Sequence, residues 1–220
     1  MKRALCAVAI ATAFAATPAL AKIEITEWMY NGDEFIELTN MGNTPIDMTG
    51  WSYDDDSRIP GTVSLSAFGT VAVGESMIIA ENAAADFRSS WQLGGSVKII
   101  GGNQTNLGRA DEINIFDSTG TLVDRFAYGD NTVAFAGTIR TLNISGNPTS
   151  LAALVPNNVT TDWVLSTVGD AYGSYASLDG FVANPGTYFL APVPEPESYA
   201  LMLAGCALVG AAIRRRRSAV

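Results

Sequence analysis

The sequence contains no histidine among its 220 residues and only two cysteines, Cys6 and Cys206. The first absence removes the commonest general base, the Ser-His-Asp triad and histidine-ligated zinc. The second leaves thiols only near the two ends, so the stretch between them has no thiol nucleophile, no cysteine-ligated metal and no disulfide. A chain of this length buries a sizeable core without such staples. Glycine-rich phosphate cradles are missing too: neither Gly94-Gly95 nor Gly101-Gly102 leads into a lysine-bearing helix. Basic residues are scarce, 13 against 22 acidic. Six of the basic residues and two of the acidic ones lie in the terminal segments, which leaves 7 against 20 and a charge near −13 on the middle of the chain. So acidic a body repels phosphate, which argues against nucleic acid and anionic lipid headgroups as partners. Cations and cationic polymers suit it better, and plain solubility is the simpler reading of the charge.

The ends carry targeting signals. Met1-Lys2-Arg3 is basic, Ala4 to Ala16 is apolar, and Ala19-Leu20-Ala21 offers small residues at the two positions read by a signal peptidase. Residues 1–21 therefore read as a secretory signal peptide cut between Ala21 and Lys22, with Ala19 as the second small residue. At the other end, Val193-Pro194-Glu195-Pro196-Glu197 precedes an uncharged run and then Arg214-Arg215-Arg216-Arg217. A helix over 199–213 would rise roughly 22 Å, short of the roughly 30 Å of hydrocarbon in a bilayer. It reads as a thin single membrane helix whose four arginines stop transfer on the cytoplasmic side. Proline on both sides of Glu195 favours an extended backbone, the form a protease cleft accepts.

Between these ends the chain reads as short strands and turns, an all-β pattern. Ile23 and Ile25 alternate with Glu24 and Thr26, giving a strand with one apolar face, and Asn31-Gly32 supplies a turn. Ile36 and Leu38 share a face in Phe35 to Thr39, and Ile46 and Met48 share one before Asp54-Asp55-Asp56 breaks the pattern. Further strands are expected at Val63 and Leu65, Val71 and Val73, Met77 to Ile79, Val97 to Ile100, Glu112 to Phe116 and Thr121 to Tyr128. Ala83, Phe87 and Trp91 repeat every four residues between Asn82, a candidate N-cap, and Gly94-Gly95. That spacing predicts a short helix laying its aromatic side on the sheet edge. From 131 to 190 the chain is rich in Gly, Asn, Thr and Ser, and one or two strands packing back on the sheet are expected.

Two resemblances follow. Val193-Pro194-Glu195-Pro196, the short Ala- and Gly-rich apolar segment and the arginine cluster together resemble the PEP-CTERM sorting signal of exported proteins in Gram-negative bacteria. The resemblance implies handling by an exosortase, an integral-membrane cysteine protease that cuts near Pro194, Glu195 and Pro196 and passes the protein to the cell surface or extracellular matrix. A plain C-terminal anchor on a proline-rich stalk would show the same order. Ile25 to Asn40, Asp47-Met48-Thr49-Gly50-Trp51, Gly74-Glu75-Ser76 and Asp111 to Gly129 are similar to the lamin-tail family. That similarity implies an immunoglobulin-like β-sandwich over 22–130, used for binding or scaffolding. The domain plan is then a signal peptide over 1–21, the sandwich, an irregular β extension over 131–190 and a sorting signal over 193–217.

Few chemical groups remain for function. Asp54-Asp55-Asp56 or Asp33-Glu34 offers hard oxygen ligands for Ca²⁺, but the aspartate run lacks the alternate spacing and the Gly of a calcium loop, so it reads as a solvated turn. Asp111-Glu112 reads as a strand start with its charge facing water. Trp28 and Trp51 would stack on sugar if exposed and fill the core if not. No catalytic residue, cofactor or metal is expected. Three readings stand: an exported non-enzymatic structural or interaction protein with exosortase, signal peptidase and exopolysaccharide or other surface proteins as partners; a carbohydrate- or calcium-binding surface module; and a hydrolase working with carboxylates alone, which needs two of them about 5–9.5 Å apart in a cleft.

Overall fold

The computed structural model describes residues 22–129, 139–154 and 162–189. The predicted signal peptide, the Pro194-Glu195-Pro196 motif, the 199–213 segment and Arg214 to Arg217 lie outside these residues. Among the described residues no helix is long and apolar enough to cross a membrane.

The strands are β1 (Ile23–Met29), β2 (Phe35–Asn40), β3 (Ile46–Asp47), β4 (Ser52–Asp54), β5 (Val63–Ser64), β6 (Thr70–Val71), β7 (Ser76–Ala80), β8 (Lys98–Ile100), β9 (Ala110–Phe116), β10 (Leu122–Gly129), β11 (Gly146–Pro148), β12 (Trp163–Leu165), β13 (Tyr175–Ala176) and β14 (Val182–Ala183), with one helix, α1 (Ala84–Ser90), between β7 and β8. One sheet has the order β12-β11-β1-β2-β7-β8 and the other β10-β9-β4-β5, while β13-β14 and β3-β6 form separate pairs. The two larger sheets face each other. Ile23, Ile25, Trp28, Ile36, Leu38, Met77 and Ile79 on the first meet Tyr53, Ile113, Ile115, Phe126 and Tyr128 on the second in one buried cluster. The β7-β8 pair is parallel, which demands a crossover rather than a tight turn, and α1 supplies it.

The other face of the six-stranded sheet is buried as well, because the rest of the chain covers it. Phe87 and Trp91 of α1 pack with Met29, Phe35, Ile78, Ala80 and Ala183, and Tyr175 and Phe181 of the β13-β14 hairpin close over them. The helix thus lies across the sheet's face and not on its edge. Its N-cap is Ala83 with no capping side chain. Asn82 donates instead to Asp33, 2.5 Å away, a tie between two loops that outweighs one cap bond.

Register explains how acidic residues come to lie on this covered face. β1 pairs with β2 antiparallel, but the register shifts between Ile25 and Glu27. Thr26 is the extra residue of a β-bulge, and one extra residue reverses the alternation. Ile23 and Ile25 point into the sandwich before the bulge, and Trp28 and Tyr30 do so after it. Glu24 and Glu27, three apart, therefore share the opposite face and are both buried. The apolar face expected from Ile23 and Ile25 is there, but it changes parity at the bulge, and the polar face behind it is buried too.

The segment after 138 contributes four short strands. β11 extends the main sheet beside β1, with Gly146 opposite Trp28, and β12 follows at its edge. A side chain at Gly146 would meet the Trp28 indole nitrogen at 3.2 Å and Ile139 at 2.8 Å. Glycine lets the strand lie flat against the ring there.

Candidate functional site

The polar half of the covered face is the most unusual chemistry in the described chain. Glu27 on β1 and Glu37 on β2 stand directly opposite each other, and neither has any exposed surface. Around Glu37 the bulge residue Thr26 donates its hydroxyl to Oε1 at 2.9 Å and Ser76 donates to the same oxygen at 3.2 Å. Thr39 links the two hydroxyls, 2.8 Å from each. Glu27 Oε1 takes the Ser145 hydroxyl and, at 2.9 Å, the backbone N–H of Asn184. Glu37 Oε2 takes the backbone N–H of Gly186 at 2.6 Å. The chain from Asn184 to Tyr188 is thus a strap fastened across β1 and β2 by main-chain donors on two buried carboxylates. Asn147 and Ser166 complete the seam, Asn147 bonding Ser166 and the Asn184 side chain at 2.8 and 2.9 Å.

Electrostatics in the seam favour the protonated state. Burial, then the charge of Glu37, holds the Glu27 carboxyl well above its usual range. Burial pushes Glu37 up to about 7 against the pull of the Gly186, Thr26 and Ser76 donors. Glu27 Oε2 is buried without a hydrogen-bond partner.

Two shallow cavities flank the strap. One, of about 250 Å³, runs between the C-terminal end of α1 and the hairpin, with Gln92, Leu93, Tyr172, Tyr175, Thr187 and Phe189 among its lining residues. The other, of about 230 Å³, lies between the strap and Glu75, Ser76 and Ser96. Phe189 is 53% exposed at the rim of the first.

Other acidic groups serve the fold. Asp54 is buried and organises its loop, its Oδ2 accepting from Ser57 Oγ at 2.6 Å and from the Ile59 N–H at 2.5 Å, so the aspartate run is not a solvated turn throughout. Glu112 is not turned to water; it is buried and forms an ion pair with Arg58 at 2.5 Å, with Arg125 3.6 Å away. Asp124 reaches from β10 to the Ile25 N–H at 2.8 Å, on the side of β1 away from β2, where β11 pairs only at Trp28. Burial and the neighbouring Glu24 raise Asp124 to about 7. Burial, helped by the Glu81 and Asp111 charges, raises Glu34 to about 8. No group of three or more acidic side chains among the described residues is placed to hold a metal ion. Trp28 is fully buried and Trp51 nearly so, which removes the sugar-stacking platform. The opposed Glu27 and Glu37 lie beneath the strap with no exposed surface.

Glu27 and Glu37 fall within the Ile25 to Asn40 stretch that resembles the lamin-tail family, but nothing in the strand pattern singles them out or marks Ser145, Asn147, Ser166, Asn184 and Gly186 as their partners. The usable signal was the spacing of Glu24 and Glu27 across a change in apolar parity, Ile23 and Ile25 giving way to Trp28 and Tyr30.

Comparison with known proteins fits this architecture. No curated protein matches the chain. A family model for the PEP-CTERM protein-sorting motif matches residues 192–217. The Lamin Tail Domain model matches residues 16–130, more than half of the 220, and neither family is a catalytic domain type. The chain belongs to the lamin tail domain family and carries a PEP-CTERM sorting motif.

Proposed function

We propose that the protein is an exported, non-enzymatic interaction module delivered to the cell envelope or the extracellular polysaccharide matrix by an exosortase. The observation that carries this reading is position: the PEP-CTERM match begins at residue 192, three residues after the last described residue of the folded body, so body and signal follow one another without a further domain between them. In this reading signal peptidase cuts after Ala21, with Ala19 and Ala21 as the small residues it reads. Lys22 becomes the new N-terminus, one residue before β1, its carbonyl accepting from Met41 at 2.7 Å and its ammonium 2.7 Å from Glu24. Exosortase acts near Pro194, Glu195 and Pro196 while Arg214, Arg215, Arg216 and Arg217 hold the tail on the inner side. The inner membrane is then an intermediate station and the surface the destination. Mass spectrometry of the mature chain should find Lys22 at one end and a terminus near Glu195 at the other, and replacing the four arginines with uncharged residues should shift the protein between cell fractions. An intact tail on the surface-exposed protein defeats the sorting reading.

The cavity of about 250 Å³ favours a second reading, a site for one neutral sugar unit. Its lining carries no charged residue, and it sets the exposed face of Phe189 beside polar Gln92 and Thr187. Calorimetry with neutral oligosaccharides should give a heat that Phe189→Ala abolishes; a flat titration removes the idea.

A further inference from the structure

We propose that Glu27 and Glu37 are a proton-dependent clasp: only while Glu27 holds a proton does the pair keep the Asn184–Tyr188 strap closed over the sheet. Two like charges directly opposite across adjacent strands repel, and in a site without exposed surface water does not screen them. A proton retained on one of the two carboxyls resolves this.

The donors locate the proton. Glu37 receives donors from Thr26, Ser76 and Gly186, with the Thr187 N–H also against it, and Glu27 Oε1 receives Ser145 and Asn184, with the Asn147 amide beside the carboxyl. Glu27 Oε2 is the buried oxygen of the pair left without a donor. It is therefore the oxygen that takes up a proton without displacing a donor. The titratable groups around the pair are Glu24 on β1 with Lys22 bound to it, Tyr175 on β13, whose ionisation the Glu27 charge opposes, and Tyr188 on the strap, which feels Glu24 and Glu37. β7 gives Ser76, β11 gives Asn147, and the residues just before β11 and just after β12 give Ser145 and Ser166, all neutral.

Loss of the proton places a second negative charge in the seam. The sheet is held by its own ladder, so the strap is the part that yields, and the cavities on either side of it give water a way in. An open strap also lengthens the free chain before the sorting motif. From Phe189 to Pro194 the chain spans at most about 18 Å, and from Ala183 at most about 40 Å. This last consequence rests on the sorting reading above; the clasp does not.

Hydrogen–deuterium exchange on the full chain in mild detergent tests it, with rates corrected for the intrinsic pH dependence of exchange. Peptides covering 182–189 should lose at least tenfold more protection between pH 6 and pH 9 than a peptide over β9, which follows the stability of the whole fold. Glu27→Gln, a neutral stand-in for the protonated acid, should bring the strap's loss down to that of β9. Asp124→Asn and Glu34→Gln, which remove groups titrating in the same range elsewhere, should leave the tenfold excess in place. A strap loss no greater than that of β9, an excess that survives Glu27→Gln, or one abolished by either control would overturn the clasp. Should Glu27→Gln not fold, carboxyl-carbon NMR of the wild type decides: the pair must keep a proton to above pH 6, and two ionisations both below pH 6 overturn the proposal.

Discussion

Trp28→Ala is expected to cost about 3–5 kcal/mol of folding stability, enough to leave much of the protein unfolded at 37 °C. The indole is wholly buried between the sheets, its ring centroid 4.0 Å from that of Tyr128 and 5.2 Å from that of Phe126, which in turn lies 4.6 Å from Trp163. Removing it empties the centre of an aromatic cluster that joins β1 to β10 and reaches β12, and it uncovers Gly146, which has no side chain to fill the gap. Trp28→Phe should be far milder, within about 1.5 kcal/mol. The Trp28 indole N–H is buried with no partner, so phenylalanine loses volume but also removes an unsatisfied donor. Urea unfolding should therefore show a large fall in midpoint for alanine and a small one for phenylalanine. Similar falls for the two would mean that the ring's packing is not what matters there.

The second large effect is on pH. Glu34, Glu37 and Asp124 have folded pKa values of about 8, 7 and 7 against ordinary carboxyl values near 4 when unfolded. Between those limits the folded state binds more protons than the unfolded one, so stability falls as pH rises. The loss starts near pH 4.5, continues to about pH 8 and then levels. On the acid side the sign reverses. Glu112 is held below its usual value by the Arg58 pair, which outweighs the effect of burial, and Asp170 by the Thr167, Ser174 and Tyr172 N–H groups. Their contribution is lost as pH drops below about 4. Urea midpoints should peak near pH 5. Glu34→Gln keeps a carbonyl for the Leu107 N–H, 2.8 Å from Glu34 Oε1, and removes the most strongly raised of the three carboxyls. It should be more stable than the wild type at pH 9; midpoints that rise from pH 5 to pH 9 would contradict the account.

Much of the sandwich was legible in the sequence because its determinants are local. Ile36 and Leu38, or Ile46 and Met48, reach one core through simple alternation, and the four-residue spacing of Phe87 and Trp91 marks a helix whatever lies above it. Burial of Glu24, Glu27 and Glu37 was not legible. A glutamate between apolar neighbours ordinarily marks the wet face of a half-buried strand, and here that face is covered by α1, the β13-β14 hairpin and the strap, all far along the chain. The same holds for Asn184 and Gly186, whose role depends on backbone N–H groups that carry no side-chain signature. The bulge at Thr26 lies between these cases: the parity change is written in the sequence, but which residue is extra becomes clear only from the pairing with β2.

The strap ends beside the start of β1. Tyr188 lies close enough to Glu24 for that carboxylate to push its phenol up, and Glu24 is two residues from Lys22. Entry and exit of the folded body therefore share one rim, and a short peptide could join them without crossing either sheet. Topologically the body is a nearly closed ring, so its chain could be reopened at an exposed hairpin tip such as Ser118–Gly120 with its strand neighbours unchanged.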